Sequence, residues 1–172
     1  MLYIGRQLTK CSCNLCYTVY KRGVVILRIY SIFHVKKKHQ AFVYGRERLL
    51  FDLIQSSNTY EHGIHPTQEI SYLCEPLDMM EIELIIQQQL GNSFSGIQTK
   101  DHQIFLMNEF KGEIQIDIFP YYIAVVCVGS RMLELDLFAT LSKLSDCFIG
   151  FNKDEMECGW LKPLKFHSHE RR

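Results

Sequence analysis

Read from its amino end, the chain alternates between stretches whose apolar residues recur at strand spacing and stretches where they recur at helix spacing. Val24-Val25-Ile26-Leu27-Arg28-Ile29-Tyr30-Ser31-Ile32-Phe33-His34-Val35 is dense in β-branched and aromatic residues and predicts a strand, which Lys36-Lys37-Lys38 stops. Arg46 to Gln55 sets Leu49, Leu50, Leu53 and Ile54 at helical spacing, and Ser56-Ser57-Asn58 ends that short helix. Thr59 to Pro76 is polar and broken by Gly63, Pro66 and Pro76, the pattern of an exposed connection.

Asp78-Met79-Met80-Glu81 has the layout of a capping box, an acceptor at the N-cap with an acid three residues on. The helix it opens carries Met79, Ile82, Ile86 and Leu90 as a stripe, with Leu84 and Ile85 widening it, and Gly91 is placed to leave it in a left-handed conformation. Gln103 to Phe110 is extended, and Lys111-Gly112 turns the chain into Glu113-Ile114-Gln115-Ile116-Asp117-Ile118, the clearest alternation present. Pro120 marks a turn or edge before Tyr122 to Val128, an apolar run suited to a central strand, which Gly129-Ser130 ends. After an extended piece at Met132 to Leu135, Asp136 is positioned to cap a second helix with Leu137, Phe138, Leu141, Leu144 and Phe148 inward.

The order helix, strand, strand, strand, helix predicts an α+β fold. Short turns make the strands antiparallel, and both helices pack on one face of a three- or four-stranded sheet. The chain divides by pattern into a basic segment 1–45 that can add a strand to the sheet, a short helix and polar connection at 46–76, an α+β domain at 77–165, and a tail at 166–172.

Composition changes this picture in one respect. The formal charge is zero, but residues 1–48 carry ten Lys and Arg against Glu47 alone, leaving +9, while the remainder carries nine against eighteen acids, leaving −9. A basic arm of this kind meets nucleic acid, lipid head groups or the protein's own acidic half. Seven cysteines, an odd number, in a chain with 21 aromatic residues for its core point to reduced thiols and a cytoplasmic protein. A signal peptide is not expected, because a basic, cysteine-bearing stretch precedes the first apolar run; that run is too short to span a bilayer.

Candidate chemistry is sparse. Cys11, Cys13 and Cys16 supply three thiolates that can share one zinc ion, but a closed structural site needs a fourth ligand. His62 with His65 and His167 with His169 lie in polar stretches that solvate imidazoles without further purpose. A nucleophile elbow and a phosphate-binding glycine loop are both missing, and Cys127 and Cys147 read as core thiols. Glu113, Gln115 and Asp117 share one strand face with Glu109 at its edge. Tyr121 lies nearby, and together these make a wet sheet face or an acidic, aromatic binding patch.

The leading expectation is a small non-enzymatic protein-binding module, inhibitor- or immunity-like, that holds a basic protein partner through Glu109, Glu113, Gln115, Asp117 and Tyr121 and needs no cofactor. The alternative is a zinc-assisted nucleic-acid binder using Cys11, Cys13 and Cys16 together with Lys36, Lys37 and Lys38. An enzyme using Glu113 or Asp117 is a third reading without positive support.

Overall fold

The computed structural model describes residues 17–20, 23–56, 67–152 and 154–163. It opens with a hairpin of β1 (Tyr17–Tyr20) and β2 (Gly23–His34). The later strands are β3 (Gly96–Lys100), β4 (Gln103–Asn108), β5 (Gly112–Ile118), β6 (Tyr122–Gly129), β7 (Phe148–Asn152) and β8 (Glu157–Trp160). All pairings are antiparallel, in the order β3-β4-β5-β6-β2-β7-β8, with β1 on the opening residues of β2.

The sheet therefore exceeds the three or four strands expected, for reasons visible in the added strands. β3 is exposed along its whole length and β8 is four residues long with no position fully buried, so neither shows a buried face in its sequence. β7 is buried at every position, and a strand covered on both faces has no alternation to read. β2 lies inside the sheet, with Ile32 paired to Ile123 of β6 on one side and to Gly150 of β7 on the other.

Helices cover both faces, which corrects the expectation of one. On the first face, α4 (Met79–Leu90) and α5 (Met132–Leu144) set Ile82, Ile86, Leu90, Leu133, Leu137 and Leu141 against Ile32, Ile104, Ile114, Ile116, Ile123 and Val125. On the second, α1 (Lys37–Val43), α2 (Glu47–Ser56) and α3 (Gln68–Leu73) bring Val43, Leu50, Phe51, Ile54 and Ile70 onto Phe33, Tyr122, Ile149 and Phe151. Phe51 stacks on Phe151 with ring centroids 5.5 Å apart. Each such buried side chain contributes about 1.5–3 kcal/mol by leaving water.

Local signals decide the helix ends. Asp78 Oδ1 accepts the Glu81 N–H at 3.0 Å, the cap its spacing predicts. Gly91 does not turn left-handed: with φ −53° and ψ −36° it stays helical and continues into a 3-10 turn, Gly91–Ser93. The second helix starts earlier than Asp136, so Met132 to Leu135 is helical rather than extended, and Ser130 Oγ accepts the Met132 N–H at 3.3 Å. Asp136 instead holds Lys111 Nζ at 3.0 Å. Phe148 belongs to β7, because the chain becomes extended at Ser145.

Two further helices went unread. α1 buries only Gln40 and Val43, too little for a stripe, and α3 is six residues long, with Thr67 Oγ1 accepting the Ile70 N–H at 3.4 Å. The basic and acidic halves meet within the fold: Arg28 pairs with Glu134 at 2.6 Å and Lys37 with Asp146 at 2.7 Å. No described helix is long and apolar enough to cross a membrane.

Candidate partner-binding surface

The second face of the sheet places a helical hairpin at the surface. β2 ends at His34, Val35 bridges to Cys74, and α1 begins at once. Gln40, buried, ties α1 down by donating from Nε2 to the Asp146 carbonyl at 2.9 Å. Gly45, with φ +75°, makes the reversal into α2, a left-handed turn that glycine adopts without steric cost. Glu47 Oε1 fixes that reversal by accepting the Gly45 N–H at 3.0 Å and Trp160 Nε1–H at 2.8 Å. Partial burial pushes the Glu47 carboxyl up, but these hydrogen bonds outweigh it and leave its pKa lowered.

Once Val43, Leu50, Phe51 and Ile54 are buried, the outward side chains of these helices are unusually large and apolar. Phe42 is 58% exposed, Tyr44 47%, Leu49 65% and Tyr72, on α3, 61%. Two contacts tie part of this set to its surroundings. The Tyr72 ring lies 4.6 Å from that of His39, Phe42 follows one turn along α1, and Arg46 covers the Phe42 ring at 5.3 Å while donating to the Phe42 carbonyl at 2.9 Å. Arg48 lies over Phe51 at 5.2 Å and pairs with Asp52 at 3.2 Å. Aromatic residues flanked by arginine are the composition of binding hot spots.

The residues singled out from sequence are distributed differently. Glu113, Gln115 and Asp117 do share one face of β5, opposite Met107, Phe105 and Gln103 of β4, and all three are partly buried. Gln115 Nε2 donates to Asp117 Oδ2 at 2.9 Å. That face is a mosaic rather than an acidic plate, because half-exposed Phe105, Met107 and Ile29 stand among the polar groups. Glu109 is not on it: it sits in the β4–β5 turn beside Phe110, which is 96% exposed. Tyr121 lies at the opposite end of β5, in the link to β6.

Of Lys36, Lys37 and Lys38, the first two have partners in the fold or at its surface. Lys36 Nζ donates to the Ser71 carbonyl at 2.6 Å and Lys37 is held by Asp146, which raises the lysine pKa and lowers that of the aspartate; Lys38 is exposed. Cys11, Cys13, Cys16, His62, His65, His167 and His169 lie outside the described residues. Among the described residues no group of three or more His, Cys, Asp or Glu is arranged to hold a metal. Cys74, Cys127 and Cys147 are buried free thiols; burial pushes Cys74 up to about 12 and raises the other two as well.

One grouping resembles a nucleophile relay: Ser145 Oγ lies 2.8 Å from His34 Nε2, and His34 Nδ1 3.4 Å from Glu75 Oε2. Ser145 Oγ also accepts the Cys147 N–H at 3.1 Å, and it sits at the C-terminal end of α5, where carbonyls point outward and disfavour a developing oxyanion. The arrangement pins the α5–β7 link to β2.

The fold and this surface lie almost wholly within one conserved unit known from other proteins. The sequence profile of the family described as SirA, sporulation inhibitor of replication protein SirA, matches residues 28–165. The chain belongs to the SirA family. The match begins inside β2 and runs past β8, taking in all five described α-helices together with Phe42, Tyr44, Leu49 and Tyr72. A relative described as sporulation inhibitor of replication protein SirA, from Bacillus subtilis (strain 168), is 22% identical over 152 residues, covering 80% of this chain and 95% of that protein.

Sequence reasoning misses these exposed residues because Phe42 and Tyr72 lie where no apolar stripe can be read and Leu49 reads as one more member of the α2 stripe. The available signal was Leu49, an apolar residue immediately before the Leu50-Phe51 pair that fills the inward stripe of α2.

Proposed function

We propose that this protein restrains DNA replication during sporulation by binding a protein of the replication apparatus through Phe42, Tyr44, Leu49 and Tyr72, with Arg46 as a cationic anchor. The observation that carries the reading is the exposed aromatic tract within a chain of the SirA family. The flanking Arg46 and exposed Lys38 favour a partner with an acidic rim, the reverse of the basic partner that the acidic strand suggests. Lys36 is drawn into the fold by the Ser71 carbonyl and Lys37 is paired with Asp146 at the surface, which supports protein over nucleic acid.

The sheet face around Glu113, Gln115 and Asp117 supports a second reading, because Phe105 and Met107 stand exposed beside it. Photo-crosslinking separates the two. With p-benzoylphenylalanine at position 42 and, separately, at position 105, nuclease-treated extracts should give a discrete replication-protein adduct from position 42 only. Adducts from position 105 alone would move the site to the sheet face, and adducts lost on nuclease treatment would favour nucleic acid.

A further inference from the structure

On the second face of the sheet the helical layer is incomplete. α1, α2 and α3 pack over Phe33, Tyr122, Ile149 and Phe151, and their cover reaches partly buried Ala124. Beyond Ala124, cross-strand partners share a face and line up in two rows running from β4 to β2. One row is Met107, Glu113, Val128 and Leu27, and the next is Phe105, Gln115, Val126 and Ile29. Met107 is 53% exposed, Phe105 40% and Ile29 38%, and the other five are partly exposed. Six of these eight side chains are apolar.

The acids of this face stand among its apolar groups. Asp117 follows Gln115 on the same side of β5, and its two oxygens differ: Oδ2 accepts from Gln115 Nε2 at 2.9 Å, while Oδ1 is screened from solvent and has no hydrogen-bond partner among the described residues. A buried acceptor in that state calls for a donor. Glu113 and Asp117, with exposed Glu109 in the adjacent β4–β5 turn, outweigh Lys100, which ends β3 opposite Gln103.

The chain brings a segment of fitting chemistry to the border of this face. β1 runs antiparallel to β2 with Tyr17 opposite Ile26, so residues 1–16 join the fold beside Leu27. Those residues carry Arg6 and Lys10 and no acid. Leu2, Ile4, Arg6, Leu8 and Lys10 fall at every second position, the spacing that puts side chains on one side of an extended chain. Length suffices as well. From β2 to β4 is three inter-strand steps, about 14 Å, against a reach of about 50 Å for such a segment fully extended.

We infer that residues 1–16 are the intramolecular cover of this face, laying Leu2, Ile4 and Leu8 on Phe105, Met107, Val126 and Ile29 and setting Arg6 and Lys10 against Asp117 and Glu113. The basic arm and the acidic half of the chain then offset each other within one molecule. A face so covered is closed to outside partners until the segment is displaced.

The test places p-benzoylphenylalanine at position 105 of the purified full chain and maps the crosslinked peptides by mass spectrometry. An equimolar mixture of 15N-labelled and unlabelled chains separates bonds within a chain from bonds between chains. The expected adduct joins position 105 to the segment 1–16 of the same chain, at a yield independent of protein concentration. Arg6→Glu with Lys10→Glu should cut that yield by about fivefold or more without changing the thermal midpoint, and adding Glu113→Lys and Asp117→Lys should restore it. Adducts between labelled and unlabelled chains would overturn the proposal by making a second copy the occupant. Adducts elsewhere in the chain, no adduct, a yield indifferent to charge reversal, or a reciprocal reversal that stays folded and restores nothing would overturn it too. Because no partner is present, none of these outcomes bears on the exposed aromatic residues of α1 to α3.

Discussion

Arg28 on β2 grips Glu134 on α5 through two parallel hydrogen bonds, Nε to Oε1 at 2.6 Å and Nη2 to Oε2 at 2.8 Å, with the arginine 3% exposed. Nη2 also donates to the Gly129 carbonyl at 3.0 Å, and Tyr30 Oη donates to Glu134 Oε1 at 3.2 Å. The hydrogen bonds Arg28 donates to Glu134 raise the arginine pKa, while burial and the same carboxylate push the Tyr30 hydroxyl up to about 12. Gly112 and Gly129 form a cross-strand pair with φ +115° and +121°, where a Cβ on Gly112 would lie 2.0 Å from the Val128 carbonyl.

Breaking this pair from one side leaves a buried charge without its counterpart, which costs about 3–5 kcal/mol. Glu134→Leu should therefore lower the urea midpoint steeply, and adding Arg28→Met should recover much of the loss because no buried charge is then left unpaired. A double variant no better than the single one would show that the carboxylate and guanidinium act independently.

The central position of β2 governs what can be removed. A fragment spanning residues 73–163 retains α4, α5 and strands β3 to β8 but leaves β6 and β7 with no strand between them, and strips Phe33 and Ile32 from both cores. It should show no cooperative thermal transition, whereas a fragment spanning residues 23–163 should unfold cooperatively. A sharp transition in the shorter fragment would mean that β6 and β7 can close on each other.

The unevenness of what the sequence discloses follows from where each segment is wet. β5 alternates because one of its faces is packed and the other is half-open, and α4 declares itself through Asp78 and a single inward stripe. β7 is buried at every position and merges by composition with the apolar end of α5, while β3 is exposed throughout and presents nothing to bury. Arg28 reads in sequence as a lone charge in an apolar strand because its partner lies 106 residues away. The candidate site was harder still: Glu113, Gln115 and Asp117 fell on one face as their spacing requires, but the aromatic tract depends on three short helices whose contacts are tertiary.

His34 ties stability to pH. Burial lowers its pKa below the ordinary 6.5, with Glu75 and Asp146 opposing the shift only in part. The folded state therefore holds the imidazole neutral while the unfolded chain takes up a proton as pH falls below about 6.5. The stabilisation is complete above pH 6.5 and is lost as pH falls from there through the lowered folded value. Thermal midpoints should drop over that window in the parent protein, and the drop should be smaller in His34→Asn. An identical acid response in both would place the sensitivity elsewhere.

Phe42, Leu49 and Tyr72 are exposed, so truncating them should spare the fold. Phe42→Ala, Leu49→Ala and Tyr72→Ala should each shift the unfolding midpoint little, surface changes being worth about 0.5 kcal/mol or less. Each should weaken capture of the crosslinked partner by about tenfold or more, a loss of about 1.4 kcal/mol or more. Loss of fold rather than of binding would show these side chains to be packing residues.

The most direct test of the account is the ratio of origin to terminus DNA in host cells induced to express the protein. The intact chain should drive that ratio down towards one, and a Phe42→Ala, Tyr72→Ala variant present at the same level and equally folded should leave it at the uninduced value. An equal fall with both proteins would contradict the assignment of the aromatic tract, and no fall with the intact chain would contradict the replication role itself.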